Sequence, residues 1–331
     1  MNMLSKSMIG VIMVFSILLF SGVTLGAEKI TWKLGGVHSV GSPETIGLKK
    51  FAELTEKKTG GRLKIQIFPA GQLGAEVPQM ENLMSGVQEM FGNAGEWVTT
   101  LSKEWTGVSM PFLFANLDHA IKFQKSQEYE RLKMLLLDSK RVRILGDNWY
   151  RLPRALLAKK PIHSPKDLEG VKLRMSTVKA NVETYKAMGA KVIITPWAEA
   201  FLALKTGVVD AVDSPLGSIY AQKFYQAAPY ISLINHQQLP FFLLVNNKIY
   251  QSLPGDQQRG LAEAAQEAGD FYTNLVKEEF KGDKDKMIKE GATFIEVNQE
   301  NFAAIAYKVA ERLEEEGLWS KGLFARVRKM R

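Results

Sequence analysis

The chain has 331 residues, 46% of them hydrophobic and 24% charged, so it has an ordinary globular composition and is long enough for two lobes. Its formal net charge is +8, but the basic residues form no stripe with interleaved aromatic residues, and nucleic acid is therefore not an expected partner. The absence of cysteine excludes disulfides, thiol catalysis, thiolate metal sites and a lipid-modified N-terminal cysteine.

Residues 1–26 have the pattern of a secretory signal peptide. Lys6 is the only charged residue in this stretch, residues 8–20 are mostly apolar, and small residues follow. A membrane anchor is the alternative, but the apolar run is shorter than the roughly 20 residues that a spanning helix needs. We expect cleavage after Gly26 or Ala27, and a periplasmic mature protein that does not span the membrane.

In the first half of the chain, strand and helix patterns alternate. The periodicity predicts strands at 29–34, 63–68, 90–94 and 142–145, and helices at 43–58, 76–85 and from a cap at Asn116 or Asp118 to about 138. Glu96 follows the end of the strand at 90–94. Ligands bind at strand ends in open α/β sheets, so Glu96 is a candidate site residue.

The stretch from 164 to 215 predicts a β-α-β-α-β unit, which is typical of a mostly parallel sheet. Its strands are expected at 171–175, 192–194 and 208–212, and its helices at 177–188 and 196–207. Arg174 ends the first of these strands. An arginine there can hold a carboxylate through two parallel hydrogen bonds. The alternatives are a solvated strand arginine and a structural ion pair.

The last third of the chain is predicted to be largely helical. Helices are expected at 216–231, at 252–279, after a kink at 281–286 as far as 290, and at 299–316, with strands at 239–245 and 292–297. The aromatic residues of the 216–231 segment recur at helical spacing, which indicates a core face more often than ligand contacts.

Several long motifs resemble the solute-binding proteins of tripartite ATP-independent periplasmic (TRAP) transporters: GGRLKIQIFPAGQLG, DLEGVKLR, TPWAEAFLALKTGVVDAVDSP and IYAQKFYQ. The resemblance covers nearly the whole mature chain. It implies an α/β, two-lobe periplasmic binding protein (Venus-flytrap) fold with a long interlobe helix. We place the first lobe at 27–151 plus 240–279 and the second at 152–239 plus 280–331.

The resemblance also implies roles for individual residues. Arg174 matches the arginine that forms the main salt bridge to the ligand's carboxylate, and Arg154 falls where a second arginine often lies, although it could be a surface arginine. Ser214, in DAVDSP, takes the position of a frequent asparagine. Trp197 matches a position that often faces the ligand, with a core tryptophan as the alternative.

Phe241 and Trp149 complete the predicted site. A serine at 214 has a shorter reach than the usual amide. Together with the aromatic residues Trp197 and Phe241, it favours apolar or aromatic carboxylates over polyhydroxylated ones.

No catalytic motif is present, and the four histidines do not form a recognisable ligand cluster, so we expect no cofactor, no metal and no enzymatic activity. The resemblance implies capture of a small organic carboxylate and delivery to TRAP transporter membrane subunits. A secreted enzyme acting on a carboxylate and a ligand-sensing module for a separate receptor are the alternative functions.

Overall fold

A computed structural model describes residues 29–331. The signal peptide predicted at 1–26 lies outside these residues. The described chain forms eleven strands: β1 (Ile30–Gly36), β2 (Leu63–Phe68), β3 (Met90–Ala94), β4 (Val142–Trp149), β5 (Arg154–Ala158), β6 (Lys172–Met175), β7 (Lys191–Ile194), β8 (Ala211–Pro215), β9 (Tyr230–Ser232), β10 (Phe241–Asn246) and β11 (Thr293–Ile295).

Twelve α-helices lie among these strands: α1 (Pro43–Lys58), α2 (Glu76–Ser85), α3 (Glu104–Val108), α4 (Leu117–Gln124), α5 (Gln127–Lys140), α6 (Lys179–Ala187), α7 (Ala200–Thr206), α8 (Leu216–Ile219), α9 (Asn247–Gln251), α10 (Gly255–Lys289), α11 (Gln299–Glu315) and α12 (Leu323–Arg328). Short 3-10 turns add Gly95–Thr100, Pro165–Leu168, Trp197–Glu199 and Phe224–Gln226.

The strands form two sheets, one in each lobe. The first sheet has the order β2-β1-β3-β10-β4, and the second has the order β11-β9-β5-β8-β6-β7. In the second sheet β6 pairs parallel with both β7 and β8, which confirms the predicted β-α-β-α-β unit. Antiparallel β10 and β5 make both sheets mixed. The two-lobe α/β fold is thus the one expected.

Local sequence signals explain several element boundaries. The Ser42 side chain accepts from the backbone nitrogen of Thr45 (3.3 Å) and Pro43 opens α1, as N-cap and N1 preferences predict. Gly207 ends α7 in the left-handed region at φ 81°. Strand β2 alternates buried and exposed residues over its first four positions, so its period-2 pattern predicted its bounds without error.

The long helix α10 connects the two lobes. Ala264, Ala265 and Ala268 are fully buried against the first lobe, where this helix packs on α1 and β4. At the other end of the helix, the Tyr225 hydroxyl of the second lobe donates to Glu290 Oε2 (2.7 Å). The helix runs without a break through 281–286, so the predicted division into two helices is wrong.

Three other predicted elements differ clearly from the structure. The helix expected at 216–231 is instead α8, a 3-10 turn and β9, with Lys223 in the left-handed region at φ 56°. The strand expected at 208–212 begins only at Ala211, since Val209 still bonds back to the carbonyl of Ala203. Strand β5 was not predicted, and the helix expected to end near 138 is split into α4 and α5 by a cap at Ser126.

The strands of each sheet come from two separate stretches of the chain. Those of the first sheet lie within 30–149 and 241–246, and those of the second within 154–232 and 293–295. The C-terminal segment, however, packs back on the first lobe, where Ser320 donates to Glu104 and Trp319 covers Gly107. The boundaries themselves, 27–151 plus 240–279 and 152–239 plus 280–331, stay a proposal.

Candidate functional site

A polar cavity lies between the two lobes, and we call it the central cavity. Its volume is about 20 Å³, which is room for roughly one water molecule. The first lobe contributes Val37, His38, Glu76, Asn93, Glu96 and Trp97 to the wall. The opposite wall and the connection between the lobes contribute Arg151, Arg154, Arg174, Asn181, Trp197 and Asp213.

Arg174 is a buried cation without an acidic partner in the described chain. It lies on β6, next to the edge strand β7 of the second sheet, opposite Ile193 of β7 and Val212 of β8, and is 3% exposed. Its Nε donates to the carbonyl of Thr195 (2.8 Å), and so does its Nη2. Residues 29–331 place no carboxylate within 4.0 Å of this guanidinium, so a solvated arginine and a structural ion pair are both wrong descriptions.

Arg174 stays positively charged although it is buried. Burial lowers the pKa of the guanidinium to about 10, so the group is still a cation at neutral pH. Its guanidinium carbon lies 5.4 Å from the centre of the Trp197 ring, which provides a cation–π contact. A buried cation of this kind has the geometry and charge to accept an anion.

Arg154 has a different environment, although it lines the same cavity. Its Nε donates to Asp213 Oδ2 (2.5 Å) and its Nη1 to Glu96 Oε1 (3.2 Å). Burial opposes the charge of Arg154, but the charges of Asp213 and Glu96 outweigh burial and raise its pKa. Burial likewise opposes the charge of Asp213, while Arg154 and His236 hold the pKa of that carboxyl well below its usual range. Arg154 is thus the centre of a buried ion-pair network that joins the two lobes.

Trp197 opens a 3-10 turn and contacts both lobes. Its backbone nitrogen donates to Glu76 Oε1 of the first lobe (3.1 Å), and its ring lies 5.7 Å from that of His38. The indole ring also packs edge-on against Phe224 at 5.3 Å. Trp197 is therefore a wall residue of the cavity and a link between the lobes.

Three of the seven predicted site residues lie away from the cavity. Trp149 and Phe241 are fully buried in the core of the first lobe, with ring centres 5.8 Å apart, and Trp149 Nε1 donates to the carbonyl of Ala265 (3.0 Å). Ser214 is also fully buried, and its hydroxyl bonds to the carbonyl of Pro215. The structure brings together Arg174, Arg154, Trp197 and Glu96, whose ligand-binding roles stay predictions.

A second buried ionic cluster lies beside the cavity. Glu44 Oε1 accepts from Arg151 Nη2 (3.2 Å) and from the Ser218 hydroxyl of the second lobe (2.6 Å), and His38 Nε2 is 3.9 Å away. Burial raises the pKa of Glu44, but His38, Arg151 and Ser218 lower it more, to about 2. Burial lowers the pKa of His38 to about 4, so His38 is neutral at physiological pH.

Most of the polar residues that line the cavity were not predicted from the sequence. His38 follows β1, Asn93 lies near the end of β3, and Glu76 is the first residue of α2. The strand-end rule that singled out Glu96 would also have found His38 and Asn93. No local pattern marks Glu76 or Arg151, because their positions depend on the contact between the lobes.

The family model of the bacterial extracellular solute-binding proteins, family 7, matches residues 34–316. The chain belongs to this family. It is therefore a periplasmic solute-binding protein of the TRAP type, as the motifs implied. Among curated relatives, the 2,3-diketo-L-gulonate-binding periplasmic protein YiaO of Escherichia coli is 28% identical over 278 residues, covering 83% of each chain. The C4-dicarboxylate-binding periplasmic protein DctP of Rhodobacter capsulatus is 29% identical over 284 residues, covering 84% of each chain.

Solved structures of solute-binding proteins share this fold. The protein from Ochrobacterium anthropi with bound L-fuconate is 26% identical, with a TM-score of 0.85 over 91% of this chain and 99% of its own. The apo open structure from Escherichia fergusonii is 28% identical and covers the same shares of the two chains, with a TM-score of 0.77. No helix within residues 29–331 combines the length and the apolar character that crossing a bilayer requires.

Proposed function

We propose that this solute-binding protein captures a small organic carboxylate between its lobes and delivers it to the membrane subunits of a TRAP transporter. The observation that carries the proposal is Arg174, a cation that is 3% exposed and has no carboxylate within 4.0 Å in residues 29–331. A ligand carboxylate supplies the missing counter-ion. Closure of the lobes excludes water and strengthens the pair, because Coulomb interactions grow as the local dielectric falls.

Bonds between the lobes close the cavity in the described conformation. Three residues of the second lobe donate hydrogen bonds to carboxylates of the first lobe: Trp197 to Glu76, Arg154 to Glu96 and Ser218 to Glu44. These bonds hold the two walls of the cavity together. An organic acid is larger than the roughly one water molecule for which about 20 Å³ leaves room. The acid therefore enters when the lobes separate, and its release to the permease requires the same opening.

Binding without chemical conversion distinguishes this function from that of a secreted enzyme. The curated relatives named above are binding proteins, which supports a role without catalysis. Binding alone does not separate transport from ligand sensing. Measuring uptake separates them, because loss of this protein abolishes uptake of the acid only if the protein serves a permease.

The test is a thermal-shift screen of the mature protein against monocarboxylates, dicarboxylates, aromatic acids and sugar acids, followed by recovery of the bound acid. A true ligand at 100 times its dissociation constant stabilises the fold by about 2.7 kcal/mol. We expect such a shift and an acid recovered unchanged. Conversion of the acid during incubation would support the enzyme alternative, and no shift with any acid would contradict the proposed function.

A further inference from the structure

Four residues that line the central cavity each carry a buried side-chain nitrogen without a hydrogen-bond partner in residues 29–331. The nitrogens are His38 Nδ1, Asn93 Nδ2, Arg151 Nε and Trp197 Nε1. The four residues are 4%, 1%, 5% and 6% exposed, respectively. Buried polar groups in folded proteins nearly always have partners, and each exception needs an explanation. Four of them on one small cavity point to a bound group that supplies the partners.

The surroundings of these side chains fix what that group must offer. The amide oxygen of Asn93 accepts from the backbone nitrogen of Ala94 (2.8 Å), so its Nδ2 is the free end. Arg151 uses Nη2 for Glu44 and leaves Nε unpaired. An indole N–H, an amide NH₂ and a guanidinium Nε–H only donate. The group that meets them must therefore be a hydrogen-bond acceptor.

The charges around the cavity decide whether this acceptor is itself an anion. Arg151 and Arg154 already pair with carboxylates, whereas Arg174 has none within 4.0 Å in the described chain. A ligand carboxylate on Arg174 would use the last free guanidinium. A second carboxylate would then lie, without a counter-ion, among Glu76, Glu96 and Asp213. Hydroxyl groups fit better, because they accept from the free donors and donate to these carboxylates.

We propose that Trp197, Asn93 and Arg151 form a second subsite for the neutral hydroxyl oxygens of a monocarboxylate that Arg174 holds at its other end. The protein then selects hydroxylated monocarboxylates over dicarboxylates and over unsubstituted fatty acids. This inference rests on the proposed function. A hydroxylated ligand differs from the apolar or aromatic carboxylate that the sequence favoured. That expectation depended on Phe241 and Ser214, which do not line the cavity.

The first test is calorimetric titration of the mature protein with six-carbon acids. The probes are gluconate and galactonate, their diacids glucarate and galactarate, and hexanoate. We expect at least one aldonate to bind about tenfold or more tightly than its diacid and than hexanoate. A diacid or hexanoate that binds as tightly as the aldonates would overturn the second subsite but leave carboxylate capture standing. If no carboxylate binds, here or in the wider screen, the proposed function itself fails.

The second test uses Trp197→Phe, which keeps an aromatic ring over Arg174 but removes the indole N–H. We expect the affinity for the preferred aldonate to fall about tenfold, with hexanoate affected by less than about twofold. The matched control is Trp149→Phe, a buried tryptophan whose N–H is paired away from the cavity, and it should leave the preference unchanged. Equal losses for aldonate and hexanoate in Trp197→Phe would mean a packing role and would overturn the proposal. Asn93→Ala repeats the test should Trp197→Phe not fold.

Discussion

Arg154 and Arg174 line the same cavity but differ in what surrounds their charges. Arg154 is paired with Asp213 and Glu96, whereas Arg174 bonds only to the carbonyl of Thr195 within the described residues. Removing one partner of a buried ion pair leaves the other charge uncompensated, which costs about 3–5 kcal/mol. Removing an unpaired buried cation leaves no such charge behind. The presence of an arginine in the cavity therefore does not by itself tell whether its charge is free for a ligand; its partners do.

This contrast predicts that substitution of the two arginines changes the free energy of unfolding by different amounts. Arg154→Ala should lower the free energy of unfolding by about 3–5 kcal/mol, because Asp213 and Glu96 stay buried without their cation. Arg174→Ala should leave the free energy of unfolding nearly unchanged. Urea denaturation of both variants in ligand-free buffer measures the difference. Equal destabilisation by the two substitutions would show that Arg174 is also a structural cation.

His38 predicts a dependence of stability on pH. Burial lowers the pKa of His38 to about 4 in the folded protein, against 6.5 for an ordinary histidine side chain. Between these values the unfolded chain binds more protons than the folded chain, so stability is lost as pH falls from 6.5 to 4. This pKa shift corresponds to about 3 kcal/mol of unfolding free energy, which is lost once the pH has fallen to the folded-state pKa. Burial also lowers the pKa of His236, which adds to the effect in the same direction.

The measurement for His38 is urea denaturation at several pH values between 4 and 7. His38→Gln should reduce the decrease in the free energy of unfolding at acid pH. The part of that decrease that comes from His236 should remain. The matched control is His163→Gln, at an exposed histidine, which should keep the wild-type slope. An unchanged slope in His38→Gln would contradict the assignment of a buried neutral histidine beside the cavity.

At the scale of elements, α10 packs closely against the first sheet at Asn148 and Trp149. A Cβ on Gly269 would lie 2.2 Å from Asn148 Oδ1 and 2.6 Å from the Trp149 ring, whereas a Cβ on Gly282 of the same helix would meet nothing within 4 Å. The close packing of helix and strand therefore requires glycine at 269 but not at 282. Both positions have helical backbone, so a comparison of the two isolates packing from helix propensity.

These two glycines give a matched pair of substitutions. Gly269→Ala should destabilise the protein by about 1–3 kcal/mol, because overpacking outweighs the gain in helix propensity. Gly282→Ala should stabilise it by up to about 1 kcal/mol through that propensity alone. Thermal unfolding of both variants is the check. A stabilised Gly269→Ala would mean that α10 can move away from Trp149 at little cost.

Elements with a clear period were predicted from the sequence with correct bounds. Strand β2 is an example, because alternation of buried and exposed residues is a local property of the chain. The helix expected at 216–231 failed because β9 within it pairs with β5 and β11, which lie far away in the sequence. Strands β3 and β5 are both buried at all five positions, so alternation marks neither of them; β3 was predicted and β5 was not.

At the scale of the whole molecule, the site forms only where the two lobes meet. Arg174 and Trp197 were predicted from motif positions within one β-α-β-α-β unit, and both line the cavity. Glu76 and Arg151 come from distant segments, and no pattern in the chain could place them beside Arg174. Trp149 and Phe241 were assigned to the site as aromatic residues, but both are buried in the core of the first lobe.

The arrangement of the lobes agrees with capture by closure. Bonds such as Trp197 to Glu76 join the lobes across the cavity in this protein. The described conformation is therefore a closed one, in which Arg174 is shielded from water.

Calorimetric titration of Arg174 variants tests this account most directly. The titrant is the acid that binds most tightly in the carboxylate screen, and circular dichroism confirms that each variant is folded. Arg174→Ala should lose about 2–5 kcal/mol of binding free energy, or roughly 30-fold to several thousandfold in affinity. Arg174→Lys should also bind poorly, because lysine keeps the charge but not the planar fork. Near-normal affinity in folded Arg174→Ala would contradict capture by this residue.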